Sequence, residues 1–218
     1  MRKIAPDERQ MMRKSYVKKL IHVIRTQGFL SLTIQDIANT MNLSRASLYN
    51  YFSSKEDVIM ELTNLCIDYI NEADQTISNK KLPYPLRLQK VFEQAVLSAV
   101  YASDTFLSDL KRSCPHLYEK KRQSRSEQLS TIHTFYRNGM KAGVFNELNA
   151  SILIIQDEAV LGKLVNSPFL MEEEMSLKQA LLDYYAAKRT QVLRPEYIQS
   201  LENEEIQAMV DSILKKLA

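Results

Sequence analysis

Only four of the 218 residues are glycine (Gly28, Gly139, Gly143 and Gly162), and only six are proline. Sheet proteins turn often, and turns consume both residues, because glycine supplies positive φ and proline pre-sets a turn dihedral. A chain this long with so few of either is expected to be nearly all helix. The same scarcity excludes Gly-rich phosphate cradles, since no two glycines stand close enough to form a GxGxxG or P-loop.

At 218 residues, one small domain followed by a larger one is the natural division. The 45% hydrophobic and 25% charged content is that of an ordinary globular protein able to bury a core. The start MRKIAPDER has no apolar core of signal-peptide length. The longest aliphatic run, Ile152 to Ile155, is far below the ~20 residues that span a bilayer, so no membrane association and a cytoplasmic location are expected. Cys66 and Cys114 read as small buried hydrophobes in a reducing compartment. Charge is unevenly placed: residues 1–55 hold ten Lys and Arg against Asp7, Glu8 and Asp36, a net +7, and the remainder carries −4. A basic quarter is what a polyanion would meet, although a solvated basic helix gives the same count.

Helical periodicity divides the chain. A first helix is predicted from Pro6 to Gln27, with Tyr16, Leu20, Val23 and Ile24 as its stripe and Gly28 as a left-handed stop. A second starts at Thr33, which with Asp36 forms a short-armed capping box. It stops near Met41, and Asn42 is placed to take the left-handed conformation. Ser44 then caps a short helix, Arg45 to Tyr51, which buries Leu48 and Phe52. Ser53 and Ser54, followed by Glu56 and Asp57, open a long helix from Lys55 to Ile77. Further helices are predicted over residues 86–102, 104–112, 116–140, 150–165, 177–193 and 204–217, with a loop through Ser167, Pro168 and the Glu172–Glu174 run.

Two short helices joined by a tight turn, over about residues 33–52, fit a helix-turn-helix. The second helix of that motif enters the major groove, so its outer face must be small or hydrogen-bonding. Arg45, Ala46, Ser47 and Asn50 lie on the side away from Leu48 and Phe52 and meet that demand. Thr33 and Ser44 stand at helix N-termini, where free amides and the helix dipole favour a phosphate. A lysine just inside a helix start gains nothing from the dipole, so Lys55 is easier to explain if an anion docks nearby.

The segment TIQDIANTMNLSRASLYNYFSSKEDVI resembles the N-terminal domain of the TetR family of transcriptional regulators. The resemblance covers about residues 10–70. It rests on Gly28-Phe29, Thr33, Ile37-Ala38, Leu43-Ser44, Leu48-Tyr49, Tyr51-Phe52 and Lys55-Glu56 at fixed spacing. Three positions depart from the pattern: Asn42 replaces the turn glycine, Ala46 stands where glycine is frequent, and Leu20 replaces an alanine. The resemblance implies an all-α fold: a three-helix DNA-binding domain with a helix-turn-helix (10–70), then a larger helical effector-binding and dimerisation domain (71–218). It implies phosphate contacts at Thr33, Tyr49, Tyr51 and Lys55. The expected partners are double-stranded operator DNA, a second copy of the chain and a largely apolar small-molecule effector. The expected activity is a repressor released from its operator by that effector; the alternative is a constitutive helical DNA-binding or protein-interaction module without one.

Beyond residue 70 the resemblance weakens. NGMKAGVFNE (138–147) looks like a recurring helix end of the family. Tyr69, Phe92, Tyr101, Phe106 and Phe135 are the aromatic residues expected to line an effector cavity, because such cavities are mostly apolar. Gln156, Asp157 and Glu158 interrupt an apolar helix, either as polar pocket groups or as exposed turns. Lys120, Lys121, Arg122 and Arg125 alternate with Glu119 and Glu127 as a solvated face would. His22, His116 and His133 show no metal-ligand spacing, and neither HExxH nor a nucleophile elbow occurs. No metal, cofactor or catalytic residue is expected, and the chain does not read as an enzyme.

Overall fold

The computed structural model describes residues 5–165, 167–198 and 203–217. Arg2 and Lys3, counted in the basic quarter, and Ala218 lie outside the described residues. Thirteen helices and no strands occur among those described; Phe145 and Leu193 form an isolated bridge. The all-α expectation holds. The helices are α1 (Pro6–Lys18), α2 (Ile21–Gln27), α3 (Ile34–Thr40), α4 (Arg45–Tyr49), α5 (Lys55–Ser78), α6 (Tyr84–Tyr101) and α7 (Asp104–Ser113). There follow α8 (Pro115–Lys141), α9 (Ala150–Leu164), α10 (Ser167–Glu172), α11 (Leu177–Val192), α12 (Pro195–Ile198) and α13 (Asn203–Leu217). No helix among the described residues is long and apolar enough to cross a membrane.

Several predicted boundaries change, among them a start for α6 at Tyr84 and an unexpected short α12. The expected first helix is two, because Lys19 and Leu20 close tighter i→i+3 bonds to Tyr16 and Val17. The break lets Val17, Leu20, Ile21 and Ile24 all reach the core, and no glycine or proline marks it. The short helix ends in regular geometry at Tyr49 rather than Tyr51. The loop expected around Ser167 contains α10, whose second residue is Pro168, a residue suited to a first turn.

The chain forms two compact units. The first comprises the chain up to Asp68 with Tyr101–Gln123; the second comprises Tyr69–Val100 with Ser124–Leu217. The first unit therefore takes α7 and the start of α8 as well as the N-terminal helices. Its core includes Leu20, Ile24, Phe29, Ile37, Met41, Leu48, Phe52 and Val58. Arg13 reaches across it, binding Asp57 at 2.7 Å and Glu61 at 2.9 Å, with its guanidinium 4.6 Å from the Phe52 ring centroid. Lys121, expected on a solvated face, is buried at 3% exposure.

The Arg13 bond, against a smaller opposing effect of burial and with help from the Ser53 amide, holds the Asp57 carboxyl below the usual carboxylate range. A depressed folded-state pKa contributes stability that is present above the unfolded value of about 3.9 and is lost as pH falls through the folded value. Asp57→Asn is therefore expected to flatten the acid limb of the stability curve. Urea unfolding of both proteins at neutral pH and near pH 3 checks this; parallel curves would remove Asp57 from the acid response.

The second unit has two apolar clusters. One gathers Phe135, Tyr136, Phe145, Leu88, Val91 and Leu153; the other gathers Phe92, Val96, Leu161, Leu181, Tyr185 and Val210. Gly139 has a packing reason: a Cβ there would stand 2.2 Å from the Phe145 ring, so glycine lets that ring lie against the end of α8.

Candidate nucleic-acid interface

The pair α3 and α4 is built by its caps. Thr33 accepts from the Asp36 amide at 3.2 Å, and Asp36 accepts in return from the Thr33 amide at 2.8 Å, giving the reciprocal box that starts α3. The Thr33 hydroxyl bond is the largest influence holding the Asp36 carboxyl below its usual range. Asn42 takes φ 59°, and the Leu43 amide closes back on the Ala38 carbonyl at 2.8 Å. Lys19 Nζ donates to the Met41 carbonyl at 3.2 Å, which satisfies the end of α3. The Ser44 hydroxyl then accepts from the Ser47 amide at 3.0 Å and starts α4.

Leu48 and Phe52 are fully buried. Their burial fixes the rotation of α4 and turns Arg45, Ala46, Tyr49 and Asn50 outward, with Ser47 half-buried beside them. The Arg45 guanidinium stands 5.9 Å from the Tyr49 ring centroid, and Tyr49 is 46% exposed. The Tyr51 ring packs edge-on against Tyr16 at 5.0 Å, and its carbonyl accepts from Arg13 at 2.5 Å. Arg9 donates to the Asn50 carbonyl at 2.9 Å. The arrangement is an outward helix of short polar side chains, flanked by exposed Thr33 and Ser44 and held from behind by arginines of α1.

Lys55 has a second explanation. Its ammonium donates to the carbonyls of Leu30 and Leu32 at 3.1 and 2.6 Å, tying down the loop before α3. Burial pulls its pKa down against the opposing charges of Asp109 and Asp36. Its position is thus accounted for without an anion.

The same loop is held from its other side by a residue that sequence reasoning missed. Asp109 of α7, 8% exposed, accepts from the amides of Phe29 at 2.6 Å and Leu30 at 3.1 Å. Phe106, one turn earlier, meets the Phe29 ring edge-on at 5.9 Å. An acidic residue 80 positions away in the chain carries no local signal of this pairing.

Of the five aromatics expected around an effector, Tyr101 and Phe106 belong to the first unit and Tyr69, Phe92 and Phe135 to the second. Phe92 packs on Tyr185, and Phe135 packs on Tyr136 and Phe145. Tyr69 borders a small cleft with Glu72, Thr76, Lys90 and Glu93. Among Gln156, Asp157 and Glu158, the middle residue is buried and the last exposed, pairing with Arg125.

The capped α3, the left-handed turn at Asn42 and the outward-facing α4 form a helix-turn-helix. Residues 19–62 match the model for bacterial regulatory proteins of the tetR family. A 69-residue stretch is 30% identical to the HTH-type negative transcriptional regulator IcaR of the biofilm operon icaADBC in Staphylococcus aureus. That match covers 32% of this chain and 37% of the relative, so the chain spans little more than a third of the curated relatives it matches. A putative transcriptional regulator from Saccharomonospora viridis, solved with choline, superposes with a TM-score of 0.61 at 16% identity, over 86% of this chain and 99% of that one. The ketosteroid regulator KstR2 of Mycobacterium tuberculosis gives 0.57 at 15% identity, over 84% and 95%. Residues 19–62 therefore match the TetR-family N-terminal helix-turn-helix domain, and the chain has a TetR-like all-helical fold.

Proposed function

We propose that this chain is a dimeric, sequence-specific DNA-binding transcriptional regulator, a repressor released from its operator by a small molecule. The observation that carries the reading is α4 with its cap Asn50, which presents Arg45, Ala46, Tyr49 and Asn50 outward on a fixed rotation, with Ser47 half-buried beside them. Thr33, Ser44, Tyr51 and Lys55 stand around it as phosphate contacts. The negative regulation named for IcaR supports repression, and the choline complex of the Saccharomonospora viridis regulator supports a small-molecule effector.

A single short helix reads few base pairs, so two copies reading two half-sites supply the specificity. On α9, Ile152 and Ile155 are 58% and 57% exposed, and exposed Ala159 and Gly162 continue that side at helical spacing. This face is assigned to the second copy.

DNA selected from a random pool supplies the test. Changes at Arg45 or Ser47 are expected to alter which sequence is preferred, by roughly 1–3 kcal/mol per lost base contact. Lys55→Ala is expected to weaken all sequences alike and to lower the salt slope of binding by about one. An unchanged slope would leave Lys55 only its hold on Leu30 and Leu32. Failure of the wild-type chain to select any sequence would overturn the reading. Once an effector is known, it must weaken operator binding by the same factor by which operator weakens its own binding.

A further inference from the structure

Asp157 on α9 and Lys188 on α11 form an ion pair in the second unit, at 4% and 1% exposure. Lys188 Nζ donates to both carboxylate oxygens, at 2.8 and 2.6 Å, and the Tyr184 hydroxyl donates to one at 2.9 Å. Three donated bonds thus converge on Asp157. Around this pair the accounting does not close. The Tyr185 hydroxyl is buried without a hydrogen-bond partner, and so are Nε and Nη1 of Arg189, while the buried Tyr136 hydroxyl has only the Lys188 ammonium, itself a donor, beside it. Lys188 lies 5.5 Å from the Tyr136 ring centroid, and Tyr185 is within electrostatic range of both Arg189 and Tyr136.

The three orphaned atoms and the Tyr136 hydroxyl can all donate, and the two arginine nitrogens can do nothing else. Burial pushes the Tyr136 and Tyr185 phenols up, so both keep their protons at neutral pH. Lys188 and Arg189 outnumber Asp157 by one positive charge. The set lacks one anionic acceptor with several lone pairs, and a carboxylate is the compact group that supplies it. The Phe92 ring lies tilted against Tyr185 with centroids 4.9 Å apart, and Val96, Leu161 and Leu181 extend the same apolar cluster, which suits a hydrocarbon body.

We propose that Tyr136, Tyr185 and Arg189 recognise the carboxylate of a small organic acid whose hydrocarbon part packs against the Phe92 cluster. The proposal rests on the effector reading above and refines it: a purely apolar ligand would leave every one of these donors unpaired.

The test uses the full chain with butyrate, octanoate and benzoate, each against its neutral amide at matched ionic strength. Thermal unfolding and calorimetric titration are the readouts. At least one acid is expected to raise the unfolding midpoint with concentration while its amide does not. Arg189→Met is expected to weaken that acid at least about tenfold, the range of a lost charged hydrogen bond. The Tyr136→Phe/Tyr185→Phe double variant removes only two oxygens and keeps the test sharp if Arg189→Met does not fold. No acid-specific shift, or a shift unchanged in both variants, would overturn the site. The DNA arm is independent. An acid that binds here yet leaves operator affinity unchanged supports the site and sinks release by it; a chain that binds the acid but no DNA supports the site and sinks the regulator reading.

Discussion

Asp109→Ala is expected to lower the stability of the first unit by about 2–4 kcal/mol, a large effect for one carboxylate. The change leaves the Phe29 and Leu30 amides without their acceptor, and each unsatisfied buried group costs roughly 1–3 kcal/mol. Gly28 shares the same geometry. It holds φ 74°, a backbone that L side chains rarely adopt, and a Cβ there would stand 2.3 Å from Asp109 Oδ2. Gly28→Ala is therefore expected to do at least as much damage, since strain of roughly 1–3 kcal/mol adds to the displaced carboxylate. The held loop leads directly into Thr33, the cap of α3, and its Leu30 and Leu32 carbonyls hold Lys55. Loss of the clamp should thus reach DNA affinity through the placement of Thr33 and Lys55. Urea unfolding and amide exchange at Phe29 and Leu30 measure the first effect, and operator titration the second. Full protection of those amides in Asp109→Ala would show that the carboxylate does not hold the loop.

The second large effect lies at the Asp157–Lys188 pair. Asp157→Ala leaves an ammonium at 1% exposure without its counter-charge. Breaking a buried pair from one side costs about 3–5 kcal/mol. Lys188→Met acts from the other side and strands a carboxylate that keeps only the Tyr184 bond. The combined Asp157→Leu/Lys188→Met change should recover most of that loss, because desolvating two charges offsets much of what their attraction supplies. Recovery in the double variant is the informative measurement. If the double variant were as unstable as the sum of the singles, the pair would have to stabilise the fold through something other than its mutual charge.

The parts of this protein that the sequence reveals are local ones. The Thr33–Asp36 box, the left-handed Asn42 and the Ser44 cap are short-range devices, and each occurs where the residues place it. The outward set on α4 was legible for the same reason, since burying Leu48 and Phe52 leaves a helix only one rotation. The break between α1 and α2 was not legible. No residue there forbids a continuous helix, and only the demand that Val17, Leu20, Ile21 and Ile24 all be buried decides it.

Pairings across long stretches of chain lay beyond the sequence. Composition and periodicity dictate helices, their ends and the buried side of each, because those depend on neighbours within a few residues. Which polar group meets which depends on how the helices pack. Nothing near Lys55 in the sequence pointed to the loop carbonyls of Leu30 and Leu32 that its ammonium meets. Asp157 looked equally like a pocket group or an exposed turn until Lys188 closed on it from α11. Nothing in the local pattern told Asp109 from any helix carboxylate, and its amide partners lie 79 and 80 positions away. Caps and rotations were therefore fixed by chain-local sterics and hydrogen bonding. The clamp on the loop before α3 and the buried charges of the second unit were decided by tertiary packing, because a desolvated polar group must be satisfied by whatever the fold brings within reach.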